Sequence, residues 1–169
     1  MGHKVQFAGS DIELLGNEIK IGAKAPAFAG VGIGLKKVEF AGGDGKVHVF
    51  SIFPSIDTPV CSLQAGRFNA EASNLDTRVE IMAISCDLPF ALDRYCGAHG
   101  IDRMTMCSDH RDLAFGMAYG FVLNGLRLLA RGVVVVDGAG IVRYVEYVPE
   151  VTHEPNYDAA LAAVKSLLH

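Results

Sequence analysis

Val47-His-Val-Phe-Ser-Ile-Phe53 is a run of β-forming residues without a charge. A strand with one wet face alternates apolar and polar residues, whereas a run like this one must be covered on both faces. Val79–Ser85 is a second apolar strand, and Gly132–Val136 (GVVVV) is a further apolar run of strand length. Strands of this kind call for helices packed over a central sheet, which restricts the chain to an α/β architecture.

The order of the other segments completes that reading. Val5-Gln-Phe7, a Gly9-Ser10 turn and Ile12-Glu-Leu14 predict an N-terminal β-hairpin. Residues 22–34, rich in Gly and Ala, read as irregular; residues 35–40 read as a strand, and Gly42-Gly-Asp-Gly45 as a turn. After a proline-rich loop, Ala65, Phe68, Ala72 and Leu75 recur at helical spacing. Asp87 as N-cap and Pro89 in the first turn predict a short helix that stops at Gly97. Residues 111–120 predict another helix. Val133 to Val136, the turn Asp137-Gly-Ala-Gly140 and residues 141–147 predict a second hairpin. A last helix starts at Pro155, with Tyr157, Leu161, Val164 and Leu168 on one face. The sum is one domain over residues 1–169, a central mixed sheet flanked by helices.

Composition excludes some functions. Half of the 169 residues are hydrophobic and 20% are charged, with a net charge of −4. No basic stripe exists to neutralise phosphates, so no nucleic-acid partner is expected. No apolar run approaches the ~18 residues of a membrane span. The opening MGHKVQFAGSDIE has no apolar core of a secretory signal, which predicts a cytoplasmic, reducing setting. There, cysteines are more often redox-active or metal-binding than structural. The six histidines and the four cysteines, Cys61, Cys86, Cys96 and Cys107, lack metal-site spacing, so no metal is expected.

The chemistry concentrates in Phe53-Pro-Ser-Ile-Asp-Thr-Pro-Val-Cys61. Cys61 falls on the same helical stripe as Ala65 and Phe68, so its sulfur is sheltered in the first turn of a helix. Burial disfavours a thiolate, while a helix N-terminus and a nearby cation favour it. Pro59 stops the strand from continuing. Pro54 ends it and is placed to screen the sulfur, and Thr58 puts a hydroxyl where it binds a ligand or caps the helix. From spacing alone, Cys61 also fits a small buried apolar residue, Thr58 a plain cap and Arg131 a surface ion-pair residue.

The pattern Pro54-x-x-x-Thr58-x-x-Cys61 resembles the active-site loop of peroxiredoxins. Together with Arg67-Phe-Asn69 it is similar to their thiol peroxidase branch. Ser85-Cys-Asp-Leu-Pro-Phe-Ala-Leu-Asp-Arg-Tyr-Cys-Gly97 resembles the segment with that branch's resolving cysteine. Ala130-Arg-Gly-Val-Val-Val-Val-Asp137 resembles the strand with its arginine, and Glu154-Pro-Asn-Tyr-Asp-Ala-Ala-Leu161 resembles its ending. The resemblance spans nearly the whole chain. It implies a thioredoxin-like fold and a cofactor-free peroxidase, probed by a peroxide substrate at Cys61. Thr58, Arg131 and the Cys61 N–H would polarise the peroxide, with Pro54 in the substrate pocket. Cys96 would resolve the oxidised Cys61 as a Cys61–Cys96 disulfide, recycled by a thioredoxin-like reductant, in a homodimer. A disulfide needs Cα atoms ~4.4–6.8 Å apart. Helices flanking a strand do not normally bring their ends that close, so at least one end is expected to unwind, with the end carrying Cys96 the readier to fray. Cys86 and Cys107 fall outside the family's pattern and are expected to be inert, apart from non-native disulfides under oxidation.

Three rivals have sequence signatures. Cys61 and Arg67 fit the C-x5-R spacing of cysteine phosphatases, but that chemistry needs a loop where this segment reads as helix. A silent thioredoxin-like binding module would have no use for Thr58, Cys61, Cys96 and Arg131 together. A plain thioredoxin-type oxidoreductase would need a C-x-x-C, which the chain lacks.

Overall fold

The computed structural model describes residues 3–72 and 74–168. Its elements are β1 (His3–Phe7), β2 (Ser10–Leu15), β3 (Phe28–Val31), a 3-10 turn (Ile33–Leu35), β4 (Lys37–Phe40), β5 (Val47–Ile52), α1 (Pro59–Ala72), β6 (Val79–Ser85), α2 (Pro89–His99), β7 (Thr105–Ser108), α3 (Ala114–Tyr119), β8 (Val122–Leu123), β9 (Leu128–Leu129), β10 (Gly132–Val136), β11 (Val142–Tyr147) and α4 (Tyr157–Ser166). Seven strands form a mixed sheet in the order β11-β10-β5-β6-β7-β3-β4, and β1-β2-β8-β9 form a second, four-stranded sheet.

The uncharged run is where its composition requires it to be. All six residues of β5 are buried, between β6 in parallel and β10 antiparallel. The units β5-α1-β6 and β6-α2-β7 step in the same direction across the sheet. Crossovers between parallel strands are right-handed, so two steps in one direction put both helices on one face. The packing agrees. Phe68 of α1 packs with Val49, Ile81 and Val133 and with Tyr157 and Val164 of α4. Cys61 and Ala65 of α1 pack with Leu92 and Tyr95 of α2 over Ala83 and Met106. The opposite face carries Phe50, Met82, Ile84, Cys107 and Val134, covered by α3 and by Val5, Leu14, Leu123 and Leu129 of the small sheet. Among the described residues, no helix is long and apolar enough to cross a membrane.

Several expectations need correction. Residues 22–34 are not wholly irregular: they contain β3, which pairs with β4 and touches β7 at Val31–Ser108. Phe-Ala-Gly-Val lacks both alternation and a β-branched majority, so its pairing partners make it a strand. β7 and the two-residue strands β8 and β9 carry no sequence signal for the same reason. Asp87 does not cap α2. Leu88 holds that position without a side-chain bond, and Asp87 turns to the loop before α1. The helix passes through Gly97 and stops at Gly100, whose left-handed backbone (φ 65°) closes it with an N–H to the Cys96 carbonyl. Cys96 therefore sits a turn deeper in α2 than expected. α4 starts at Tyr157 behind Asn156, whose side chain accepts from the Ala159 N–H.

Gly132 fixes how tightly the strand beyond Arg131 packs. A Cβ there would lie 2.1 Å from the Glu146 carbonyl oxygen and 2.6 Å from Phe121 Cε1. Neither backbone nor a stacked ring can yield that space, since Phe121 itself stacks on Tyr147. Gly132→Ala is expected to lower unfolding free energy by ~3 kcal/mol, at the upper end for overpacking, read from the denaturant midpoint. An unchanged midpoint would mean that β10 and β11 separate freely.

Candidate active site

Four elements place the site. β5 ends at Ile52, and Phe53 and Pro54 follow, both buried. The loop from Pro54 to Thr58 is pinned from α2's side by Asp87. Its carboxylate accepts from the Ser55 hydroxyl (2.8 Å), the Ile56 N–H (2.8 Å) and the Ser85 hydroxyl (2.6 Å). Ser55 in turn offers its carbonyl to the Thr58 N–H (3.2 Å) and the Thr58 hydroxyl (3.1 Å). Thr58 Oγ1 accepts from the Cys61 N–H at 3.4 Å. Thr58 is thus a helix cap, and the Cys61 N–H is held by a long, weak bond that a better acceptor could displace.

Cys61 is fully buried in the first turn of α1. Its sulfur accepts a bond from Arg131 Nη2 at 3.2 Å. Arg131, just before β10, is 2% exposed, and every branch of its guanidinium is committed. Nε donates to the Val151 carbonyl (2.7 Å), and Nη1 to Gln64 Oε1 (2.9 Å). Gln64, one turn on from Cys61, donates through Nε2 to Ser51 Oγ (2.8 Å) and the Ile52 carbonyl (3.1 Å). A permanently charged, planar donor held at three points faces the sulfur with little freedom to leave it. Arg131 is therefore no surface ion-pair residue. Gln64 and Asp87 were missed from sequence. Gln64 had one signal: a polar residue next to Cys61 on the buried stripe of its helix.

Beside Thr58 and Arg131 opens a cavity of about 240 Å3, walled by Pro54, Pro59, Val60, Val151 and Phe7. The N-terminal hairpin supplies Phe7. Glu150 fastens its turn by accepting from the N–H groups of Gly9 (2.8 Å) and Ala8 (3.2 Å). A further N–H, from Thr152, is the main reason its carboxyl lies down at about 2. Pro54, Thr58 and Arg131 all line this cavity, and Cys61 reaches it only through its bond to Arg131. Cys96 does not line that cavity.

Cys96 lies in the cluster that encloses Cys61, on the same sheet face, and all four cysteines are free thiols. Burial, then the charge of Asp93, push the Cys96 thiol up from its ordinary range. Burial, then Asp109, push Cys107 and Cys86 each up to about 12. Buried thiols of that kind are poor nucleophiles. The phosphatase spacing has no matching geometry. Cys61 to Arg67 is continuous helix, and Arg67 turns to Glu71 (3.2 Å) and the face of Tyr157 (4.9 Å).

Residues 20–161 match the model of the redoxin family. The chain is 51% identical over 162 residues to a thiol peroxidase of Listeria monocytogenes serotype 4b (strain F2365), covering 96% of this chain and 98% of that one. It is 47% identical over 165 residues to a thiol peroxidase of Bacillus subtilis (strain 168), covering 98% of each. Among solved structures it superposes on a peroxiredoxin-like protein from Aquifex aeolicus with a TM-score of 0.93 at 36% identity, over 99% of this chain and 98% of that one. The fold is accordingly thioredoxin-like, and the chain belongs to the redoxin family, in the thiol peroxidase branch of the peroxiredoxins.

Proposed function

We propose that this peroxidase reduces hydrogen peroxide and organic hydroperoxides through Cys61 and Cys96. The observation that carries the reading is the guanidinium of Arg131, which lies in the wall of a mostly apolar cavity and 3.2 Å from a fully buried sulfur. The Cys61 thiolate attacks one oxygen of the O–O bond. An S–O bond forms, the O–O bond breaks, and the departing oxygen takes a proton to leave as water or an alcohol. Cys61 is left as a sulfenic acid. Negative charge moves from sulfur to the leaving oxygen, and the donors nearest that path are Arg131, the loosely held Cys61 N–H and the Thr58 hydroxyl, which must turn from the Ser55 carbonyl to donate. Fixed donors aimed at developing charge in a water-poor site are a large source of rate. Walls such as Phe7, Val60 and Val151 suit the alkyl part of an organic hydroperoxide.

In the second half, the Cys96 thiol displaces hydroxide from the sulfenic sulfur, and with its proton the product is water. The Cys61–Cys96 disulfide is then reduced by a thioredoxin-type dithiol through exchange. This requires α2 to leave its place, because Cys96 in the folded state is half-buried within a closed helix. The setting that fits is a homodimer in a reducing cytoplasm.

The test is Cys96→Ser with hydroperoxide and a thioredoxin-type donor. One equivalent of peroxide is consumed, Cys61 carries one added oxygen by mass spectrometry, and turnover stalls. Turnover by Cys96→Ser at the wild-type rate would overturn the assigned resolving step.

A further inference from the structure

Ser62 directly follows Cys61 on α1, and Tyr95 directly precedes Cys96 on α2. Their side chains meet. The Tyr95 hydroxyl and Ser62 Oγ form a close hydrogen bond, and the Tyr95 hydroxyl also donates to the Ser62 carbonyl at 3.3 Å. One hydroxyl proton each satisfies both: Tyr95 donates to the carbonyl and Ser62 donates to the phenol oxygen. The Tyr95 ring is buried, 9% exposed. His99, one turn on, stacks on it with ring centres 4.0 Å apart and keeps Nδ1 3.0 Å from the Tyr95 carbonyl.

Away from Tyr95, α2 is anchored by the buried Pro89 and Leu92, and its start is loose. Its first turn has no side-chain cap, and Leu88 and Phe90 there are 52% and 68% exposed. A helix of 11 residues is marginal without tertiary support. Its last turn closes on the carbonyl of Cys96, which accepts from the N–H groups of Gly100 and Ile101. As long as that turn is wound, Cys96 is held inside it.

We propose that Tyr95 is a positioning residue, a latch whose hydroxyl on Ser62 holds α2 closed and so sets how often Cys96 is released toward Cys61. Its consequence for catalysis rests on the disulfide chemistry proposed above; the latch itself does not. Release precedes condensation, in which the Cys96 sulfur bonds to the Cys61 sulfenic sulfur and water departs. While the latch is closed, the sulfenic acid persists and is open to a second hydroperoxide, which gives a sulfinic acid and one more alcohol or water.

The experiment compares Tyr95→Phe, Ser62→Ala and the double variant, all fully reduced, by the alkylation rate of each cysteine measured on peptides. Tyr95→Phe keeps the ring and removes the bonds. Cys96 is expected to react about 3- to 10-fold faster, the factor a net hydrogen bond is worth. Ser62→Ala leaves the carbonyl as acceptor and is expected to fall between wild type and Tyr95→Phe. The double variant should match Tyr95→Phe alone, as one shared contact requires. Cys107, on the other face of the sheet, should not change, which separates local release of α2 from a general loss of stability. After one equivalent of hydroperoxide, disulfide formation should accelerate by the same factor and sulfinic acid should fall. Unchanged Cys96 labelling, equal acceleration at Cys107, or slower disulfide formation would overturn the latch. Faster labelling of Cys96 with no peroxide-dependent disulfide would support the latch and overturn the peroxidase cycle.

Discussion

Cys61→Ser, reduced and mixed with excess hydroperoxide and a thioredoxin-type donor, is expected to consume none above the uncatalysed rate. The loss should be complete even in a single turnover, because the serine oxygen is neither a comparable nucleophile nor able to form a sulfenic acid. The fold should survive. Sulfur and hydroxyl differ little in size, the site is sealed, and a serine oxygen can accept from Arg131 Nη2 where the sulfur does now. A substitution that keeps a buried donor paired changes stability by ~1 kcal/mol or less. Far-UV circular dichroism and a denaturation midpoint near wild type, beside zero peroxide consumption, would place the defect in chemistry alone. A variant still turning over would remove Cys61 from the mechanism.

Arg131→Met is expected to slow the first oxidation of Cys61 by ~10²–10³-fold, the scale of losing one preorganised donor at a developing charge. The methionine side chain fills much of the same path but offers no N–H. It also strands Gln64 Oε1 and the Val151 carbonyl, both now paired with Arg131. Unpaired buried acceptors cost ~1–3 kcal/mol each, so the unfolding free energy should fall by ~2–6 kcal/mol. The two effects separate by measuring oxidation, by stopped-flow or quenched mass analysis, well below the variant's melting temperature. Arg131→Lys restores charge but cannot span three acceptors in one plane, and should recover only part of the rate. A full rate in Arg131→Met would leave the cation without a role.

The parts of this site that were legible in the sequence share one property: their residue type and spacing carry the signal locally. The uncharged run of β5 announced a buried central strand. The loop from Pro54 to Cys61 announced a strand end, a turn and a helix start. Gln64 and Asp87 carry no such mark. Gln64 matters because Arg131, distant in sequence, arrives at its amide, and Asp87 because the loop before α1 folds back onto it. Asp87 looked like a cap, since an acidic residue ahead of Leu-Pro usually is one; tertiary bonds to Ser55, Ile56 and Ser85 drew it away. Strands such as β7 and β8 owe their extension to partners already in the sheet. The shared face of α1 and α2 was in principle readable, because the hand of two successive crossovers decides it.

That arrangement divides the thiols into two chambers. Cys61 and Cys96 occupy one, Cys86 and Cys107 pack into the other, and a layer of hydrogen-bonded backbone stands between them. A bridge such as Cys61–Cys107 would have to thread through that partition, which the intact molecule does not allow. The wall that organises the core thus also keeps Cys61 and Cys107 apart for as long as the sheet stands.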